Sequence, residues 1–399
     1  MPFAKKKTAK KQSVVQQAMT GAPRLVGGHQ MATANSAVAS ALGRAVRSYN
    51  KAHKRSRLWL ASEEGLLGKP AGWLSTGDFL LDCYLGGGVP LGKVIQIWGR
   101  PGTGKTSLAM SIAREVQLAG GLAVPLDAEM SWEEERIALF GLDPARLSPA
   151  KAPTLEDGFD VIEDATLSYR EQPALKDVPI IFIWDTIRKS RTRAQLKQKG
   201  SNDRYSAGIA ERPGIIANGL QRIEEALMSH KIGLVIVNQA SSKMGGRVQG
   251  GLQASGGFGF QHTLAYSVRL DESYPKGPLF VKGTDTQVGM TVTARLDKRS
   301  KLSGRRPYDP TANFTLRWET GLERYLSAVQ WLAECGEQKK IVKVKGVYQF
   351  NFNGRLLKAN PLDVSALVHE TTGLAKFVRV LTRKHFLRPA PQLQLEASA

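Results

Sequence analysis

Apolar positions follow two alternating rhythms through the middle of this chain. Residues 94–98, 122–126, 178–184 and 233–237 are short apolar runs rich in β-branched side chains. Such runs mark strands buried on both faces of a parallel sheet. Between them the apolar spacing lengthens to a helical period over residues 106–118, 132–140 and 215–228. Strand and helix in alternation predict an α/β fold with a mostly parallel, doubly wound sheet. Residues 264–270, 288–296 and 314–318 extend it as β-rich segments with charged turns. A smaller α/β unit follows: a helix from about Ser327, a hairpin through 347–352 and 355–357, and a helix over 364–371. Ahead of the sheet, Val38, Leu42, Val46 and Tyr49 set an amphipathic helix over residues 37–52, and 56–60 reads as a short strand. This helix and strand either dock on a neighbouring protomer or fold back on their own domain. The expected organisation is therefore a disordered basic arm at 1–35, an oligomerisation helix and strand at 36–65, a core at 66–325, a small domain at 326–388 and a tail at 389–399.

Composition narrows the classes. A chain of 399 residues with 42% hydrophobic content can bury a large core. No run approaches 18 uncharged apolar residues, so no membrane-spanning helix is expected. Cys83 and Cys335 are too few for a four-ligand zinc site and suggest free thiols in a reducing compartment. Charge says more: 56 Lys and Arg face 35 Asp and Glu, for a net charge of +21. Residues 1–60 carry twelve of the basic residues and no acidic one. A polyanionic partner is indicated, nucleic acid first; the plainer reading is a solubilising tail. The arm lacks the apolar stretch of a secretory signal, while its want of acidic residues leaves a transit peptide open.

The first core strand runs into Gly99, Arg100, Pro101, Gly102, Thr103, Gly104, Lys105, Thr106 and Ser107, and a helix starts at once. Strand, glycine loop and helix in this order are a P-loop. Its backbone N–H groups and the helix N-terminus suit phosphate oxygens. Lys105 suits the β- and γ-phosphates of ATP, and the Thr106 hydroxyl suits Mg²⁺. Three further strand ends carry polar chemistry. Asp185 ends one strand and fits a Walker B carboxylate for Mg²⁺; Asp127 and Glu129 end another. One of that pair can deprotonate the attacking water, while Asp127 is equally suited to cap the next helix. Asn238 and Gln239 end a third strand, where an amide can sense the γ-phosphate. Beyond it, residues 240–257 are glycine-rich, with Lys243 and Arg247 able to meet phosphates and Met244 able to wedge between bases. Eighteen residues with no expected structure inside a compact core suggest function or disorder. The segment after Asp185 is basic as well, with Arg188, Lys189, Arg191 and Arg193. Two basic loops on the γ-phosphate side of one sheet would make a nucleic-acid surface; the bland alternative is two solvated loops.

Taken in order, these residues resemble the bacterial RecA recombinase family from about Ala37 to Leu387. Residues 74–82 and 86–92 resemble its approach to the P-loop, and Asp127 to Glu129 its catalytic-glutamate segment. Asn238 and Gln239 resemble its γ-phosphate sensor. Gly256, Gly257 and 267–271 resemble the close of its second DNA-binding loop, and Gly346, 353–355, Asn360 and Pro361 its C-terminal domain. The resemblance implies a RecA-like ATPase core in which Glu129 is the base and ATP and Mg²⁺ are used. It implies single- and double-stranded DNA as partners, helical filaments of this chain, mediator or single-strand-binding proteins, and a place in the cytoplasm at the nucleoid. The family's lysines that reach ATP across the protomer interface fall near Lys298 and Lys301, with Arg299 as an alternative. Arg136 stands where the family stacks a tyrosine on adenine. An acidic C-terminal tail is missing and a basic arm is added, which marks a divergent member of the kind a phage would encode. A hexameric helicase-type motor and a basic DNA-coating protein that only binds ATP are the competing readings.

Overall fold

The computed structural model describes residues 28–53, 70–197, 211–242, 252–254, 257–273, 278–280, 284–296, 311–318, 320–335 and 340–386. Residues 1–69 and 70–399 form two compact units. The described part of the first is helix α1 (Gly28–His53), which begins well ahead of the expected Ala37. Its Val38 and Leu42 are exposed. The expected strand at 56–60 lies outside the described residues.

The second unit opens with β1 (Trp73–Leu74), α2 (Phe79–Tyr84) and β2 (Val89–Pro90). The core then runs β3 (Val94–Gly99), α3 (Lys105–Leu118), β4 (Leu122–Asp127), α4 (Glu134–Leu139), α5 (Leu155–Glu171), β5 (Ile180–Asp185), α6 (Arg193–Lys197), α7 (Arg212–His230) and β6 (Ile232–Ser242). After these come β7 (Leu252–Ala254), α8 (Gly257–Thr263), β8 (Tyr266–Glu272), β9 (Pro278–Phe280), β10 (Gln287–Leu296), β11 (Ala312–Arg317) and β12 (Gly321–Leu322). The last elements are α9 (Leu326–Cys335), β13 (Ile341–Val344), β14 (Val347–Phe352), β15 (Arg355–Ala359), α10 (Val364–Glu370) and α11 (Leu374–Phe386).

One sheet organises this unit, in the order β12-β11-β10-β8-β3-β6-β5-β4. The five strands β8, β3, β6, β5 and β4 pair in parallel, and β10, β11 and β12 extend them antiparallel. Successive side chains of a strand point to opposite faces, and β5 shows the result. Ile181 and Ile183 join one apolar cluster, while Ile180, Phe182 and Trp184 join the other. Both faces are covered, which is why these strands read as predominantly apolar runs, with the buried Gln96 of β3 an exception.

Three features depart from the sequence expectation. Helix α5 was not anticipated, because its composition is acid-rich. Its signals are a cap and a stripe: Thr154 Oγ1 accepts from Asp157 N at 3.0 Å, and Leu155, Phe159, Ile162 and Thr166 are buried. The ends of the glycine-rich segment are ordered, since β7 pairs antiparallel with the end of β6, from Ala240 opposite Ala254 to Ser242 opposite Leu252. The small C-terminal unit shares the apolar core of the large sheet. Tyr325, Ile341, Tyr348, Phe350 and Leu381 belong to the same apolar cluster as Ile97 and Ile112.

Asp78, which caps α2, gives this unit a pH dependence. Its Oδ1 accepts from Leu81 N at 2.8 Å, and the Ser327 hydroxyl also donates to this buried carboxyl. Burial, reinforced by the nearby charge of Asp82, raises its pKa from 3.8 to about 7. A carboxyl that holds its proton more tightly when folded stabilises the fold at low pH. That contribution is lost as pH rises from about 4 through 7. The denaturant midpoint should therefore fall between pH 5 and pH 8. Asp78→Asn keeps the capping oxygen without the charge and should flatten that fall; equal slopes for parent and variant would refute it.

Candidate active site

The carboxyl ends of the parallel strands lie in one row. Gly99 stands opposite Gln239, Asp185 opposite Val237, and Asp127 opposite Asp185. Ligands of open α/β sheets bind beyond such ends, and a cleft of about 340 Å³ opens there. It is lined by Pro101, Gly102, Gly104, Lys105, Thr106, Ser107, Glu129, Arg136, Asp185 and Gln239. The chain thus brings together residues far apart in sequence, from the P-loop to the end of β6.

The P-loop has the geometry its glycines require. Gly104 ends the loop at φ +79°, in the left-handed region, and α3 starts at Lys105. Thr103 Oγ1 donates to Arg100 O at 2.9 Å, and Lys105 Nζ donates to the same carbonyl at 2.7 Å. Partial burial lowers the Lys105 pKa, against the pull of Asp185 and Glu129. Thr106 Oγ1 donates to Asp185 Oδ2 at 2.7 Å. Asp185 is buried at the cleft floor, and its pKa is raised to about 6. Burial is the main cause, and the negative charges of Glu129 and Asp127 add to it. A cation beside Thr106 and Asp185 would restore the ionised carboxylate. Among the described residues no three metal-ligating side chains converge. That donor set fits Mg²⁺, which keeps waters and takes further oxygens from phosphates.

The two acids after β4 divide their roles. Asp127 Oδ1 accepts from Glu129 N at 3.1 Å and its Oδ2 from Trp132 N at 2.9 Å. Asp127 thereby shapes the turn ahead of α4, and Glu129 faces the cleft. Gln239 Nε2 donates to Glu129 Oε1 at 2.8 Å, so the amide that ends β6's apolar run and the carboxylate beyond β4 are in direct contact. Arg136 reaches the rim, with Nη1 donating to Ser131 O at 3.0 Å. Trp318, Met290 and Leu316 add an apolar wall. The sequence reading missed that wall. Its one signal is a tryptophan at the end of a strand, and only the antiparallel pairing of β10 and β11 carries it to the P-loop.

The basic residues after β5 do not behave alike. Arg188 Nη1 reaches Ala240 O at 3.4 Å, where the β6–β7 ribbon begins. Lys189 Nζ lies 3.5 Å from Glu129 Oε1. Arg191 is exposed beside α5, where its carbonyl accepts from Leu155 N at 2.7 Å. Arg193 Nη2 is held by Asp157 Oδ1 and Asp160 Oδ2, each at 2.6 Å. A phosphate would have to displace two carboxylates to reach it. Lys243, Met244, Arg247, Lys298, Arg299 and Lys301 lie outside the described residues.

A P-loop, an acidic strand end and a carboxylate–amide pair on one parallel sheet define a P-loop nucleotide-hydrolysing ATPase of the RecA-like class. The model of the RecA N-terminal domain matches residues 41–322, and the chain belongs to the RecA family. It is 27% identical to Protein RecA of Crocosphaera subtropica over 311 residues, which cover 78% of this chain and 82% of that relative. Against Protein RecA of Rippkaea orientalis the identity is 26% over 281 residues, covering 70% and 73% of the two chains. Against that of Malacoplasma penetrans it is 28% over 207 residues, covering 51% and 59%. These identities mark a divergent member. Among the described residues no helix is long and apolar enough to cross a membrane.

Proposed function

We propose that this chain is an ATP-dependent DNA recombinase that assembles as a helical filament on single-stranded DNA and catalyses homologous pairing and strand exchange. One observation carries the reading furthest: Gln239 touches Glu129, and three residues later its strand leads into the basic, glycine-rich segment. A change at the γ-phosphate and a change in that segment would thus share one strand.

In this reading the P-loop amides and Lys105 hold the phosphates, and Arg136 with Trp318 flanks the base. Thr106 and Asp185 would hold Mg²⁺, which neutralises charge on the phosphate oxygens. Glu129 accepts the proton of the attacking water and Gln239 keeps its carboxylate oriented. Membership of the RecA family and a C-terminal unit that shares the ATPase core speak against the helicase-type motor. Electron microscopy with ATP and single-stranded DNA tests the proposal. Helical filaments are expected, whereas closed rings would favour a helicase-type motor and irregular aggregates a coating protein.

A further inference from the structure

The turn that leaves β5 is fixed from two sides. Arg212, the first residue of α7, donates to Ser190 O at 2.5 Å and to Ile187 O and Arg188 O at 3.1 Å each. Trp184 Nε1 donates to Ser190 Oγ at 3.0 Å. These bonds hold the backbone on both sides of Lys189. Its Nζ approaches Glu129 Oε1, the oxygen that already accepts from Gln239 Nε2.

The side of approach decides what this lysine does. Glu129, Gln239 and Lys105 line the nucleotide cleft, and Lys189 does not. Its ammonium meets the carboxylate from the exposed surface beside the cleft, where the lysine side chain is 54% exposed. A lysine that contacts a transferred phosphate must project into the cleft, as Lys105 does.

We propose that Lys189 is a DNA-responsive latch on Glu129. Without DNA, the ammonium lies against Oε1 and draws the carboxylate charge away from the attacking water, while the Gln239 amide keeps the group oriented. DNA backbone phosphates then take the ammonium and leave Glu129 free to accept the proton. The inference rests on the reading above, with Glu129 as the base and DNA as the activator.

The strength of the contact suits such a role. The Lys189 side chain is 54% exposed and that of Glu129 21%. Ion pairs this open are weak and change an equilibrium by no more than about fivefold. A buried pair would resist release, but a half-exposed one yields to an array of phosphates whose binding is driven by counterion release. Arg188, the next residue back, reaches the root of the β6–β7 ribbon. One turn therefore touches both the base and the start of the second basic segment.

The test is steady-state ATP turnover by the full chain, with and without poly(dT), for the parent and for Lys189→Met, Lys189→Arg and Glu129→Gln. Lys189→Met should raise the DNA-free kcat about two- to fivefold with KM for ATP unchanged. Its rate at saturating DNA should stay near the parent's, so the stimulation ratio falls. Lys189→Arg should restore the low DNA-free rate, because it keeps the charge. A DNA-free rate for Lys189→Met at or below the parent's overturns the latch, and a fall in both conditions would make Lys189 a phosphate ligand instead. If the parent is not stimulated by DNA, or Glu129→Gln turns over at its rate, the proposed function fails and the latch with it.

Discussion

Glu129→Gln should lower DNA-stimulated ATP turnover by roughly 10²-fold or more while ATP still binds. The substitution keeps size and polarity but removes the carboxylate proposed to accept the water's proton. It also places an amide against the Gln239 amide, 2.8 Å from the present Oε1, where a donor now faces a donor unless one group flips. Gln239 lies at the start of the β6–β7 ribbon, so the variant should alter DNA affinity in the presence of ATP as well. Binding of a fluorescent ATP analogue and phosphate release with single-stranded DNA separate the two effects. Lys105→Ala is the contrast, because it removes a phosphate ligand and should weaken nucleotide binding and turnover together. Hydrolysis by Glu129→Gln at the parent rate would remove Glu129 from the mechanism.

Gly99→Ala should weaken nucleotide binding through geometry rather than chemistry. A Cβ at Gly99 would lie 2.3 Å from Leu270 O and 2.9 Å from Thr103 Oγ1. The first contact is backbone of β8, paired in register with β3 at this residue, so no side chain can move aside. Strand separation or loop displacement must follow, at about 1–3 kcal/mol for overpacking of this kind. A domain has roughly 5–15 kcal/mol in total, so the denaturant midpoint should drop visibly. Thr103 Oγ1 also donates to Arg100 O, so the displaced loop loses its phosphate-facing amides and ATP affinity should fall more than tenfold. Gly214→Ala is the control. It sits in α7 with nothing within 4 Å of the added carbon, and the same exchange there should be neutral or stabilising by about 0.5–1 kcal/mol. Equal loss of stability in both variants would show that the close approach at Gly99 does not matter.

Much of the site was legible in the sequence because its requirements are local. A left-handed glycine before a helix, a lysine and hydroxyl in the next two positions, and an acid at the end of a buried strand are set by neighbours along the chain. The parallel core was legible for the same reason: strands covered on both faces must be mostly apolar, and β3, β5 and the first half of β6 are, apart from the buried Gln96. The family resemblance, carried by ordered short motifs, agrees with the match to the RecA N-terminal domain over residues 41–322.

Other features depend on contacts between distant residues. Helix α5 hid behind its acidic side chains, which face Arg193 and Arg222 across the surface. The alternatives for Asp127 and Glu129 were separated only by the turn that directs one carboxylate to backbone N–H groups and the other into the cleft. Trp318 joined the site because β11 pairs with β10, and Lys189 met Glu129 because Arg212 holds the turn that carries it. Strand order, the shared core of the C-terminal unit and these side-chain encounters are pairings across the sheet. Periodicity along one segment specifies which face is apolar but not which neighbour covers it, and so the tertiary structure alone decided them.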